Sequence, residues 1–188
     1  MMMHDLGTQP LATPRLRLRR FTLDDGDAMF ANWASDPEVT TFLLWPAYTD
    51  KAALNQYLAE SVPTYADPSR YDWAMELAED GTLIGGIGVG KSDDSIGMKS
   101  VGYCLGRRWW NCGYATEALA AVIPYFIEQV GVNRVEAWHH PDNPASGRVM
   151  AKCGLHHEGI LRARERCNLG IVDASMWAIL ADDYFAAT

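Results

Sequence analysis

The chain has 188 residues, 48% hydrophobic and 21% charged, with seven Trp, eight Tyr and five Phe; this suits one packed domain and excludes disorder throughout. Its net charge of -8, from 16 basic and 24 acidic residues, argues against general nucleic-acid binding and suits a cationic or amine-bearing partner as well as plain solubility. No run of about 18 apolar residues is present to span a membrane, and Met1 to Gly7 carries no basic-then-apolar leader. Cys104, Cys112, Cys153 and Cys167 form no CxxC pair, so reduced thiols, no metal and a cytoplasmic location are expected.

In chain order, residues 1–12 are polar and irregular and read as a flexible end, with one domain expected over 13–188. Leu16 and Leu18 alternate with arginines, which predicts a half-buried strand. Thr22 to Asp25 reads as a helix start, with Met29, Phe30 and Trp33 at helical spacing up to Ser35. A short helix is expected from Asp36-Pro37 to Phe42. Another follows Thr49-Asp50, with Leu54, Tyr57, Leu58 and Val62 as its apolar stripe. Tyr71 to Ala78, Leu83 to Gly90 and Met98 to Leu105 read as three strands joined by polar turns. Ala115, Leu119, Val122, Phe126 and Val130 mark a long amphipathic helix that ends at Gly131. Arg134 to His139 is a strand, Pro144 to Cys153 a helix, and Glu158–Glu165 with Val172–Leu180 a closing antiparallel pair. The order β-α-α-β-β-β-α-β-α-β-β predicts an α+β fold.

Two glycine motifs compete for the functional site. Gly85 to Ser92 matches the phosphate-loop pattern G-x-x-x-x-G-K-[ST], yet that pattern needs a helix after its Lys and Ser. Here Asp93-Asp94-Ser95-Ile96-Gly97 follows, while Ile87 and Val89 alternate as in a strand, so a strand and turn are expected. Arg108-Trp109-Trp110-Asn111-Cys112-Gly113-Tyr114-Ala115 has the context that the first motif lacks: a strand before it and a long helix after it. Unpaired N–H groups at a helix start suit a diphosphate, and Gly113 gives it room; a plain strand-to-helix turn needing one Gly is the other reading.

Arg108-x-x-Asn111-x-Gly113 resembles the Q/R-x-x-G-x-G/A acetyl-CoA motif of the GNAT N-acetyltransferases. Trp110 to Ala118 is similar to the W-G-K-G-Y-A-T-E-A form of the branch that contains the ribosomal-protein N-terminal acetyltransferases (RimJ/RimL type). Pro141 to Leu155 resembles P-x-N-x-A-S-x-R-V-x-E-K-x-G-F, and Thr13 to Arg19 resembles T-x-R-L-x-L-R. The sequence departs from these patterns at Asn111, at Ser100 (where a Glu is customary), at Ala151, and at Met150 (where many relatives carry a Tyr).

The resemblance implies a GNAT fold: a twisted, mixed, mostly antiparallel sheet splayed at its centre, with helices on both faces. It implies an acetyl-CoA-dependent enzyme that passes acetyl directly to a primary amine, on a protein N-terminus or a small molecule, and it is compatible with a homodimer. The backbone of Tyr103, Cys104 and Leu105 would hold the pantetheine arm. Asn111, Cys112, Gly113, Tyr114, Ala115 and Thr116, with Arg108, would take the pyrophosphate. Asn143 would bind the pantetheine side, and Arg148 and Lys152 would reach a nucleotide phosphate unless they are simply solvated helix charges. Ser146 is the hydroxyl best placed to serve the departing thiolate; a first-turn backbone bond is its other role. Glu76, His139 and His140 are the candidate bases, the two histidines because an imidazole titrates near neutrality. A non-catalytic acyl-CoA-binding module is the alternative, and a P-loop nucleotide-binding protein the remote one.

Overall fold

The computed structural model describes residues 3–187 and orders eight strands into one sheet. They are β1 (Leu11–Ala12), β2 (Leu16–Arg19), β3 (Asp72–Leu77), β4 (Leu83–Asp93), β5 (Met98–Leu105), β6 (Arg134–His139), β7 (His156–Cys167) and β8 (Gly170–Leu180). Their spatial order is β1-β2-β3-β4-β5-β6-β8-β7. The α-helices are α1 (Gly26–Met29), α2 (Pro37–Thr40), α3 (Lys51–Ser61), α4 (Tyr114–Pro124), α5 (Pro144–Lys152) and α6 (Ala181–Ala187).

The patterning that predicts these elements also decides which faces are buried. Leu16 and Leu18 are fully buried on one side of β2, and Ala118, Leu119, Val122 and Ile123 form the buried stripe of α4. Together with Tyr71, Trp73, Tyr125 and Phe126, whose rings meet mostly edge to face, they make a core on one side of the sheet. A second core joins Trp33, Leu54 and Leu58 to Phe21, Ala74 and Leu83. The Asp50 side chain caps α3 by accepting from the Ala52 N–H, as the sequence predicts. Pro124 has no N–H to give, and from there α4 continues as a wider π turn over Tyr125–Val130, which ends at Gly131 in a left-handed conformation.

The sheet opens at its middle. β5 and β6 are parallel, and they pair only over Met98–Ser100 against Arg134–Glu136. Beyond Ser100, β5 stays paired with β4, and β6 stays paired with β8. The inner edge of Val101–Leu105 therefore faces a gap instead of a strand. This splayed mixed sheet with helices on both faces is the GNAT architecture.

Several expectations need correction. Residues 3–12 are tied down, not loose. The Tyr125 hydroxyl donates to the Gly7 carbonyl (2.6 Å) and the Trp73 indole to the Gln9 carbonyl (2.6 Å). Asp5 lies 3.5 Å from Lys99, a fully buried cation. Buried donors bind this polar segment, which periodicity does not register. β1 and α6 also went unforeseen, and the helix expected over 22–35 is a 3-10 turn, α1 and a π turn in succession. Gly85–Ser92 lies inside β4, as the sequence reading expects. Its glycines serve close strand packing: a Cβ at Gly88 would sit 2.8 Å from Asp72 Oδ1, and one at Gly86 would sit 3.0 Å from the Phe21 ring.

Candidate active site

The gap between β5 and β6 widens into a cavity of about 1000 Å³, at the upper end of ordinary ligand-site volumes. One half of its wall is the β5–α4 turn with the first turns of α4 and α5. Asn111 (φ 59°) and Gly113 (φ 86°) both take left-handed conformations, which bend the chain so that α4 begins with Tyr114, Ala115 and Thr116 on the cavity wall. Asn is among the few side chains that accept this geometry readily, so Asn111 preserves the turn where the resembling motif has Gly. Among the described residues, chain neighbours aside, the atom within 4 Å of a Cβ built on Gly113 is Arg15 Nη2, at 3.3 Å.

That arginine, with Glu117, anchors the turn from behind. Arg15 donates to Glu117 Oε2 (2.7 Å) and to the Cys112 carbonyl (3.0 Å), and its guanidinium lies 4.4 Å from the centre of the Tyr114 ring. Thr13 Oγ1 and the Arg15 N–H both donate to Glu117 Oε1. Burial alone would push the Glu117 carboxyl up, but these donors and the adjacent cation hold it below its ordinary range. The start of β2 thus fixes the start of α4 across about a hundred residues of sequence.

Asn143 precedes α5 and makes no capping bond, and its side chain stands at the cavity wall. One turn on, Ser146 Oγ lies 2.9 Å from the Tyr103 hydroxyl, which also reaches the Ser146 carbonyl at 3.1 Å. The hydroxyl of Ser146 is therefore joined to a second hydroxyl on β5, and the first-turn backbone bond considered from the sequence is not its role. Burial pushes the Tyr103 phenol above its ordinary value, so it stays protonated near neutral pH. Cys104, one residue on, is pushed up to about 12 by burial and is no thiolate.

Most of the residues singled out from the sequence meet at this wall: Tyr103, Cys104, Leu105, Asn111, Gly113, Tyr114, Ala115, Thr116, His139, Asn143, Ser146, Arg148 and Lys152. Three do not. Arg108 is exposed, with its guanidinium 5.6 Å from the Trp109 ring. Cys112 is exposed and gives its carbonyl to Arg15. Glu76 is held by Arg19 Nε (2.7 Å) and Arg17 Nη1 (3.6 Å) and is not on the cavity wall. The β2–β3 register sets it opposite Arg17, next to Arg19, so it is an ion-pair partner and not a base. His139 is lowered by burial and kept neutral. Its Nδ1 meets the His140 carbonyl (2.8 Å), and its Nε2 lies 2.7 Å from a Cβ position on Gly147.

Sequence reasoning missed the Arg15–Glu117 anchor and the Tyr103 hydroxyl. Arg15 and Glu117 lie inside motifs quoted above and Tyr103 on a predicted strand, but no local pattern shows that these stretches touch.

Comparisons with known proteins agree with this geometry. Residues 15–156 match the model of the acetyltransferase (GNAT) domain. An uncharacterized N-acetyltransferase, p20, of Bacillus licheniformis is 30% identical over 94% of this chain and 98% of its own length. The [ribosomal protein uS5]-alanine N-acetyltransferase of Escherichia coli is 36% identical over a shorter stretch, 31% of this chain and 30% of its own. Among solved structures, the microcin C7 self-immunity acetyltransferase MccE, in complex with acetyl-CoA and AMP, superposes with a TM-score of 0.80 at 18% identity, covering 89% of this chain and 93% of that one. Motifs, splayed sheet and matched relatives agree: the chain belongs to the GNAT family of acetyltransferases.

Proposed function

We propose that this acetyltransferase takes its acetyl group from acetyl-CoA and passes it directly to a primary amine. The observation that carries this reading is the meeting, at one wall of the cavity, of a left-handed helix-opening turn and the Ser146–Tyr103 hydroxyl pair. Acetyl-CoA supplies the activated thioester, and the products are an amide and a free thiol.

The residues present fit that donor. Gly113 leaves the approach to the α4 N–H groups open, and the helix dipole adds partial positive charge where a diphosphate would rest. Gly102 on β5 has no atom within 4 Å of a Cβ position, so an extended arm can lie along the strand edge freed by the splay. Arg148 and Lys152 place two cations on the same wall. Ser146 Oγ, held by the Tyr103 hydroxyl, donates a hydrogen bond to the departing sulfur as the C–S bond breaks, and the proton that the amine sheds is the one the thiolate finally takes. This arrangement needs no acidic side chain at Met150. Of the three candidate bases, His139 and His140 border the cavity; the His140 ring is stacked on Phe42, and the neutral imidazole of His139 suits it to accept the proton that the amine sheds. The cytoplasm fits free cysteines and a thioester donor.

Thiol release from acetyl-CoA in the presence of an amine panel tests this reading, alongside calorimetric titration with acetyl-CoA and with ATP. Binding of acetyl-CoA with amine-dependent thiol release is expected. Binding of acetyl-CoA without release for any amine would leave a non-catalytic acyl-CoA module, and binding of ATP alone would reverse the reading.

A further inference from the structure

The half of the cavity away from the α4 turn has a roof. Residues 36–48 cross above the splay and are fastened at both ends. At the near end Arg107, in the β5–α4 turn, donates to Asp36 (2.6 Å) and Glu38 (2.7 Å). At the far end Asn168, at the tip of the β7–β8 hairpin, donates through Nδ2 to the carbonyls of Thr40 and Trp45, each at 2.7 Å. Its backbone N–H donates to Leu43. Between the fastenings Phe42 stacks on His140 with ring centres 5.0 Å apart. The cavity wall here is aromatic, with Trp45 and Tyr48 from the strap itself and Tyr57 and Trp138 from outside it.

Each of the four carboxylates on this wall lies against an arginine: Glu38 by Arg107 (2.7 Å), Asp72 by Arg70 (2.7 Å), Glu136 by Arg134 (2.9 Å) and Glu165 by Arg164 (3.2 Å), with Arg107 shared with Asp36 and Arg134 with Glu158. The excess negative charge of the whole chain is therefore not expressed here as free carboxylates that could hold several ammonium groups. An aromatic wall with paired charges favours a ligand of large apolar area and little charge.

We infer that the acceptor is a small primary monoamine on an apolar, aromatic-sized body, and that the Asn168 fastening sets the size it admits. Asn168 is a positioning residue: it touches the strap, not the reacting atoms. The inference rests on the acetyl-transfer reading above, and its test separates the two.

Calorimetry would titrate 2-phenylethylamine and spermidine into the protein without acetyl-CoA, and thiol release would compare 2-phenylethylamine, spermidine and a short peptide with a free N-terminal alanine. Binding of 2-phenylethylamine at least about tenfold tighter than spermidine is expected, with kcat/KM ordered the same way and the peptide lower. In Asn168→Ala the KM for 2-phenylethylamine should rise several-fold and the peptide should gain on it, while the affinity for acetyl-CoA stays as it was. Trp45→Ala, which leaves the backbone carbonyl that Asn168 uses, should weaken the amine in the same direction if Asn168→Ala fails to fold. Spermidine or the peptide matching 2-phenylethylamine overturns the inference. So does acetyl-CoA binding with no turnover of 2-phenylethylamine, or unchanged acceptor KM in both variants. Failure of acetyl-CoA to bind, with 2-phenylethylamine still bound, would overturn the acetyl-transfer reading instead.

Discussion

The two halves of the cavity are built in different ways. The half at the α4 and α5 turns is assembled from contiguous stretches, Asn111–Thr116 and Asn143–Lys152, in which backbone conformation presents the groups proposed to hold the donor. The half under the strap is held by side chains that reach their partners only through the fold, such as Asn168 with the Thr40 carbonyl, or Arg107 with Asp36. A site made of backbone N–H groups depends on a few residues that permit one turn. A site made of side chains can change its occupant by substitution while the turn is untouched. That contrast suits a family whose members share a donor and differ in acceptor.

Substitutions can break or sharpen this contrast. The largest effect is expected at the hinge between the halves. Ser146→Ala should lower kcat by about 10²–10³-fold with little change in acetyl-CoA affinity, because it removes the donor aimed at developing charge. Tyr103→Phe should lower kcat by about tenfold, since one hydrogen bond of the pair is lost. A variant of either kind with normal kcat and a lowered melting temperature would make the pair purely structural. Gly113→Val comes next. It forces a branched side chain to a positive φ, costing about 1–3 kcal/mol, so the acetyl-CoA Kd should rise roughly 10- to 100-fold. Unchanged affinity in a folded variant would remove the turn from donor binding. Arg15→Ala should raise the same Kd by about 3- to 10-fold while leaving acceptor KM unchanged, because the anchor behind the turn is gone but its glycine remains. Arg108→Ala should change acetyl-CoA affinity by less than about twofold, as expected for an exposed side chain off the cavity wall. A larger loss there would mean that Arg108 swings in when the donor binds.

The sequence by itself determined the succession of β2 to β8 and of α3 to α5, the long apolar stripe of α4 and the turn before it, because each depends on neighbours within a few residues. Asn111 and Gly113 are legible as turn formers, and Gly85–Ser92 as strand, for that same reason. Only the tertiary structure decided which charged groups are free. Glu76 reads as a strand carboxylate able to face a cleft, and the β2–β3 register gives it to Arg19 and Arg17 instead. Arg108 reads as a phosphate ligand, and the short 3-10 turn that carries it points it to solvent. The polar residues 3–12 read as a loose end, and buried Tyr125 and Trp73 take their carbonyls as hydrogen-bond acceptors. Ser146 and Tyr103 lie 43 residues apart, and the strap and hairpin tip more than a hundred. Periodicity reports which face of an element is buried; which side chains meet across the fold is set by register, splay and the need to satisfy every buried polar group.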